Sequence, residues 1–351
     1  MTATSTLRRA AALVTHPLLP EDFLGLVNPL WSARQLRGVV VAVRPESRGA
    51  VSIVVRPGRG WRPHRAGQYV RVGVEVDGVR QWRTYSLISA ETRSDGLICF
   101  AAKDVGLVSG HLVHRTAPGD VLLLEPPQGE FVLPAVPGPL LMVTGGSGIT
   151  PVMGMLRTLA ARDALRDVVL LHSAVDADDV CFGAELRALA VASPGFRLVV
   201  RHTDEEGLLT MDQLDGLCPD WRERGAWACG PAGMLDAAET HWASSGLADA
   251  LHVERFRPRL LAGAGGEGGP VAFVRTGRDT TADGATCLLD AGEAAGVTMP
   301  SGCRMGICFG CVVPLRAGRV RDLRTGEVHG DEGDLVQTCV SAAAGPVELD
   351  L

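Results

Sequence analysis

Ser301-Gly302-Cys303-Arg304-Met305-Gly306-Ile307-Cys308-Phe309-Gly310-Cys311 sets three cysteines four and then two residues apart, and Cys339 follows after twenty-seven more. Four thiolates so spaced match plant-type ligation of a 2Fe-2S cluster, making Cys303, Cys308, Cys311 and Cys339 the expected metal ligands. The glycines between them let the loop curl tightly and aim backbone N–H groups inward. Such donors favour the reduced, more negative cluster. A structural zinc site normally shows two close C-x-x-C pairs, whereas only Cys308 and Cys311 make one here. Disulfides fit less well, because nine cysteines is an odd number and the N-terminus resembles no secretory signal. Cys99, Cys181, Cys218, Cys229 and Cys287 are scattered singly, and four of the five read as small buried hydrophobes.

Working outward, 351 residues suffice for two or three domains, each with its own core. A hydrophobic fraction of 46% with 21% charged residues is ordinary for globular protein. The net charge of -6 argues against nucleic acid as a partner and is compatible with docking a basic protein. No apolar run reaches the twenty or so residues that span a bilayer. Pro20, with two acidic residues after it, suits a helix start, and Asn28-Pro29 suits its end. That helix carries few basic residues, so packing on the body of the protein suits it better than a membrane surface.

From Gly38 to about Val136 short alternating runs (Val39–Val43, Val51–Val55, Tyr69–Val76, Thr84–Ile88, Leu97–Ala101, Val121–Leu124) follow one another without helices between them. Such spacing predicts an antiparallel barrel or sandwich. From Leu140 strand-like runs at 140–144, 168–172, 197–201 and 226–229 alternate with helical patterns, the order of a doubly wound parallel sheet. Leu260 to Pro270 is mostly glycine and alanine, which reads as a linker. A small β-rich domain follows.

Four further stretches carry chemistry. Arg83-Thr84-Tyr85-Ser86 offers a cation for phosphate, a ring to stack on a flat heterocycle and a hydroxyl for a ring nitrogen. Gly106-Leu107-Val108-Ser109 opens a short helix whose free N–H groups can receive a pyrophosphate; equally, Ser109 can simply cap that helix. Thr144-Gly145-Gly146-Ser147-Gly148-Ile149-Thr150 joins a strand to a helix through a turn of small residues, though it is not the G-x-G-x-x-G fingerprint. Cys229-Gly230-Pro231-Ala232-Gly233-Met234 is a second strand edge leading into a helix, where a thiol can touch a nicotinamide without blocking hydride transfer.

In this order the motifs resemble the ferredoxin-NADP reductase superfamily, specifically its oxygenase-reductase branch with a C-terminal plant-type ferredoxin domain. The resemblance covers about residues 38 to 351 and implies a multidomain fold. An N-terminal extension (1–37) would precede an antiparallel β-barrel for FAD (38–136) and an α/β doubly wound NAD(P)H domain (137–257). A linker (258–270) would lead to a β-grasp (α+β) 2Fe-2S domain (271–351). By resemblance Arg83, Thr84, Tyr85, Ser86, Gly106, Leu107, Val108, Ser109 and Phe256 hold FAD. Thr144, Gly145, Gly146, Ser147, Gly148, Thr150, Ser173, Cys229, Gly230, Pro231 and Met234 hold NAD(P)H, and Ser86 and Cys229 form the surroundings of hydride transfer. Ser173 is followed by Ala174, Val175 and Asp176 rather than an arginine, which leaves NADPH versus NADH open; Arg201 could substitute.

The resemblance implies an oxidoreductase that passes electrons from NAD(P)H through FAD and the cluster to an oxygen-activating protein. The extension and Gln81-Trp82-Arg83-Thr84-Tyr85-Ser86 look most like reductases of actinobacterial acyl-CoA desaturases. Ring-hydroxylating, steroid or cytochrome P450 oxygenases are the alternative partners, and a zinc-stabilised non-catalytic binding protein is the alternative of another class. The expected location is cytoplasmic, with membrane association only through a membrane desaturase.

Overall fold

A computed structural model describes residues 27–32, 35–76, 78–135, 138–260 and 266–351. Nearly all of the expected helix between Pro20 and Asn28, and residues 261–265 of the expected linker, lie outside the described residues. The backbone divides into two compact units, one reaching to Gly73 and resuming over Tyr85–Glu254, the other joining Val74–Thr84 to Arg255–Leu351.

Strands β1 (Arg37–Ser47), β2 (Ala50–Pro57), β3 (Tyr69–Val76), β4 (Val79–Ser86), β5 (Ile98–Lys103) and β6 (Val121–Leu124) form a barrel-like sheet of order β4-β3-β6-β1-β2-β5. Strand β1 runs antiparallel to β2 and β6, β2 to β5, and β3 to β6. Ser47 pairs with Ala50 across the two-residue turn Arg48-Gly49, which Gly49 permits at φ +67°. The strand expected at Thr84–Ile88 instead starts at Val79 and ends at Ser86, with Leu87 making only an isolated bridge to Phe100. Arg80, Gln81 and Trp82 give that segment no apolar alternation to read. Between β5 and β6 lies helix α1 (Leu107–His114).

In the parallel sheet, β7 (Leu140–Gly145), β8 (Val168–Ala174), β9 (Phe196–His202), β10 (Gly225–Cys229) and β11 (Leu251–Glu254) take the order β11-β10-β7-β8-β9. All neighbours are parallel. Every residue of β7 is buried, as a central parallel strand covered on both faces requires. Its side chains alternate: Leu140 and Met142 join one core, Leu141 and Val143 another. Helices α2 (Ile149–Ala161), α3 (Gly183–Ala192) and α4 (Ala232–Ser244) complete the layers. Strand order reverses at β7 and β10, so the crevice at their carboxyl ends is where such a sheet binds ligands.

The C-terminal segment folds as a mixed sheet, order β13-β12-β17-β14-β15, from β12 (Gly269–Phe273), β13 (Arg278–Ala282), β14 (Val312–Asp322), β15 (Val328–His329) and β17 (Ser341–Leu349). A short β16 (Leu335–Gln337) pairs with β14, and β12 runs parallel to β17. Helix α5 (Leu288–Ala294) contributes Leu288 and Leu289 to a core with Val271, Phe273, Val313, Leu315 and Leu349. No helix among the described residues is long and apolar enough to cross a membrane.

Candidate functional site

At the carboxyl edge of the parallel sheet β7 runs into a tight turn, Gly146–Gly148, and then α2. Gly146 sits at φ +53°. A Cβ on Gly148 would lie 2.1 Å from the Cys229 carbonyl oxygen, and one on Gly230 would lie 2.9 Å from the Gly145 nitrogen. The two glycine-rich stretches found separately in the sequence are therefore packed backbone against backbone, and only absent side chains allow it. Met234 lies over both, its sulfur 3.4 Å and its methyl 2.6 Å from the Cβ positions of Gly145 and Gly230, and Pro231 Cδ is 2.7 Å from that of Gly145. Thr150 donates to the Ser147 carbonyl at 2.9 Å. Ser173 pairs in register with Gly145, and its buried hydroxyl has no hydrogen-bond partner among the described residues. Arg201, the suggested substitute for a phosphate-gripping arginine, donates to the Glu206 carbonyl at 3.2 Å.

Strand register then aligns a row that motif reading had not assembled. Glu254 pairs with Cys229, Cys229 with Thr144 and Thr144 with His172, so four side chains from four strands share one level of the sheet. Thr144 Oγ1 and His172 Nδ1 are 2.8 Å apart, and His172 Nε2 is buried without a hydrogen-bond partner among the described residues. Burial lowers His172 to about 4 and raises Glu254 to about 7. Burial first, then the Glu254 charge, pushes the Cys229 thiol well above its ordinary range, so it stays an uncharged, polarizable group. His172 and Glu254 escaped the site assignment because their signal is parallel register, which a single sequence does not display.

On the barrel, the Tyr85 ring stacks on Phe100 with centroids 5.2 Å apart, and Ser86 is buried. Thr84 Oγ1 is buried with no hydrogen-bond partner among the described residues. Within the second unit Arg83 donates to Ser301 Oγ at 2.7 Å and lies 3.7 Å from Glu293. Ser109 turns its hydroxyl inward, accepting from Val105 N and donating to the Gly106 carbonyl, both at 3.1 Å, so it caps its own turn. Because the Gly110 N–H makes the first bond of α1, to the Gly106 carbonyl, the N–H groups of Leu107, Val108 and Ser109 precede the helix ladder. A Cβ on Gly154 of α2 would stand 2.4 Å from the Leu87 carbonyl oxygen, so that helix lies directly on the backbone following Ser86. Phe256 is 41% exposed.

The four expected cluster cysteines fall into two pairs. Cys303 N donates to the Cys308 sulfur at 3.1 Å, and Cys311 and Cys339 bring their sulfurs to 3.3 Å. Among the described residues no three His, Cys, Asp or Glu side chains converge as a single metal ion needs. Two thiol pairs suit the thiolate chemistry of 2Fe-2S ligation, one pair to each iron. Met305 N at 3.2 Å and Gly310 N at 3.3 Å also donate to the Cys303 and Cys308 sulfurs. The Cys303 thiol is drawn down to about 5, first by Cys308 and then, against burial, by backbone N–H groups including that of Ile307. Of the other cysteines, Cys99, Cys181, Cys218 and Cys229 are buried and Cys287 is partly so.

Three family models match the chain in order: the oxidoreductase FAD-binding domain over residues 63–133, the oxidoreductase NAD-binding domain over 142–240, and the 2Fe-2S iron-sulfur cluster binding domain over 273–344. The chain is 51% identical to an NADPH oxidoreductase of Mycobacterium tuberculosis, over 98% of this chain and 92% of that one. It is 29% identical to a glycine betaine monooxygenase reductase subunit of Pseudomonas aeruginosa, covering 82% and 87% of the two. Phthalate dioxygenase reductase shares the fold, with a TM-score of 0.61 at 24% identity over 92% of this chain and 99% of that one. The zinc-stabilised alternative is thereby set aside, since the cysteine-bearing segment matches a 2Fe-2S domain and the segments before it match redox domains.

Proposed function

This chain belongs to the phthalate dioxygenase reductase-like branch of the ferredoxin-NADP reductase family, and from that premise we propose that it carries electrons from NADPH to a fatty acyl-CoA desaturase. That it is an NAD(P)H-dependent oxidoreductase with FAD and a 2Fe-2S cluster, of the kind that serves oxygenases, is the established part. The donor and the acceptor are the proposal. The observation behind it is similarity to the mycobacterial NADPH oxidoreductase over 98% of this chain, taken with the resemblance of the extension and of Gln81–Ser86 to reductases of acyl-CoA desaturases. A monooxygenase acceptor is the second reading, favoured by the likeness to the glycine betaine monooxygenase reductase subunit.

The bound cofactors supply hydride acceptance and one-electron carriage. The chain's own residues position and shield them. In the proposed site Thr144 to Gly148 and Cys229 to Met234 form the cradle for the nicotinamide nucleotide, with the first turn of α2 offering N–H donors and Ser173 an unspent hydroxyl. Cys229 keeps its proton, so no thiolate repels or attacks the nicotinamide. By the family resemblance Tyr85 and Ser86 would lie against the flavin ring and the N–H groups of Leu107, Val108 and Ser109 would receive its phosphates; Arg83, Thr84 and Phe256 are further FAD residues that the resemblance implies, and Cys303, Cys308, Cys311 and Cys339 would hold the cluster. Anaerobic titration with NADPH and with NADH, followed in the visible region, tests the donor; NADPH should bleach flavin and cluster at lower concentration. Reconstitution with a membrane diiron desaturase and with a water-soluble oxygenase tests the acceptor. Desaturase turnover should be the faster, and equal or reversed rates would sink the assignment.

A further inference from the structure

The cluster loop is held from outside by two side chains that are not ligands. Arg324 Nη1 and Gln337 Nε2 both donate to the Gly306 carbonyl oxygen, each at 3.1 Å. Arg324 Nη2 also reaches Gln337 Oε1 at 3.4 Å, and Asp322 steadies the guanidinium from behind through Oδ1 at 3.1 Å and Oδ2 at 2.6 Å. Asp322 and Arg324 are largely shielded, with side chains 15% and 34% exposed. Gly306 adopts φ +73°, which glycine takes without strain, and a Cβ there would fall 2.6 Å from Arg324 Nη1 and crowd the clamp. The Gly306 carbonyl and the Ile307 N–H are the two ends of one planar peptide group. The turn that this peptide belongs to brings the Met305 N–H to 3.2 Å from the Cys303 sulfur, and the Ile307 N–H faces the same sulfur. Hydrogen bonds in series polarise one another, so a carbonyl gripped by a guanidinium and an amide makes its own N–H a stronger donor. A stronger donor to a ligand sulfur favours the reduced cluster.

Resting on the cluster reading above, we propose that Arg324 and Gln337 are positioning residues that set the reduction potential of the cluster through the Gly306–Ile307 peptide. Because Asp322 offsets the Arg324 charge, the effect travels through the peptide rather than through a bare positive charge. The test is a redox titration of the full, cluster-loaded protein, read by electron paramagnetic resonance, for the parent, Arg324→Gln, Gln337→Leu and the double variant. Each single variant should lower the midpoint potential by a threefold to tenfold shift of the one-electron equilibrium, tenfold corresponding to about 59 mV. The double variant should fall short of the sum, because both act on one carbonyl. Single variants that load the cluster and titrate with the parent overturn the proposal. Loss of the cluster from both singles also overturns it, since the clamp would then serve assembly. A parent that contains no iron would instead sink the reading beneath it.

Discussion

Glu254 closes β11 beside Cys229, and its carboxyl is moved from 4.5 to about 7 by burial. The folded chain therefore holds this proton more tightly than the unfolded chain does. The stability it contributes is complete below 4.5 and is lost as pH rises through 7. Glu254→Gln, which stays neutral, should match the parent near pH 4.5 and exceed it at pH 8 by about 2 kcal/mol, a figure reduced because the side chain keeps some contact with water. Denaturant unfolding of both proteins at the two pH values measures this. A Gln variant no more stable than the parent at pH 8 would show that the carboxylate is solvated in the folded chain. Motif reading located Thr144 and Cys229 but neither of their neighbours in the row. Motifs are contiguous in sequence, whereas His172 and Glu254 reach them only through strand pairing.

Elements that declared themselves in the sequence were those with a clean period or a glycine turn. Strands β7 and β8 are almost wholly apolar runs, and α2 follows its glycine turn directly. Strand β11 offers only Leu-His-Val-Glu, too short to show a period, yet it supplies Glu254 to the sheet edge. Strand β4 begins with polar residues and is defined by its neighbours rather than by its own pattern. The glycine turn also has a consequence at the scale of packing between elements. Gly148→Ala places a methyl 2.1 Å from the Cys229 carbonyl oxygen, forcing β7–α2 away from the β10–α4 loop. Overpacking of this kind costs about 1–3 kcal/mol, and here it should also weaken nucleotide binding. Gly233, in the first turn of α4, faces open space, so Gly233→Ala should stabilise that helix by up to about 1 kcal/mol. Thermal melts of the two variants should move in opposite directions. Equal shifts would mean that the loops relax around the added methyl.

Charge is unevenly spread over the whole molecule. Residues 271–351 hold seven basic and eleven acidic side chains, so four of the six net negative charges fall in the last quarter of the chain. Three of those acids, Asp331, Glu332 and Asp334, are exposed just before β16, whose far end leads through Thr338 to Cys339. Strand spacing puts Asp334 about 16 Å along the chain from Cys339, the proposed cluster ligand, within the reach of an acceptor docking on that domain. Ile307 and Phe309, on either side of Cys308, are 62% and 67% exposed, so the cluster loop presents apolar side chains within an acidic domain. An acceptor that meets such a surface needs an apolar contact ringed by positive charge, and its approach is speeded by attraction that salt screens. Raising salt from about 50 mM to about 500 mM shortens the screening length from about 14 Å to about 4 Å. At saturating NADPH, electron delivery to the acceptor should then slow several-fold. Replacing the three acids together, Asp331→Asn, Glu332→Gln and Asp334→Asn, should flatten that dependence and leave the high-salt rate near the parent's, because the apolar contact remains. Stopped-flow measurement of acceptor reduction across the salt series separates the two contributions: a slope unchanged by the triple substitution would move the docking surface away from this end of the domain, and a rate that rises with salt would require an acidic acceptor.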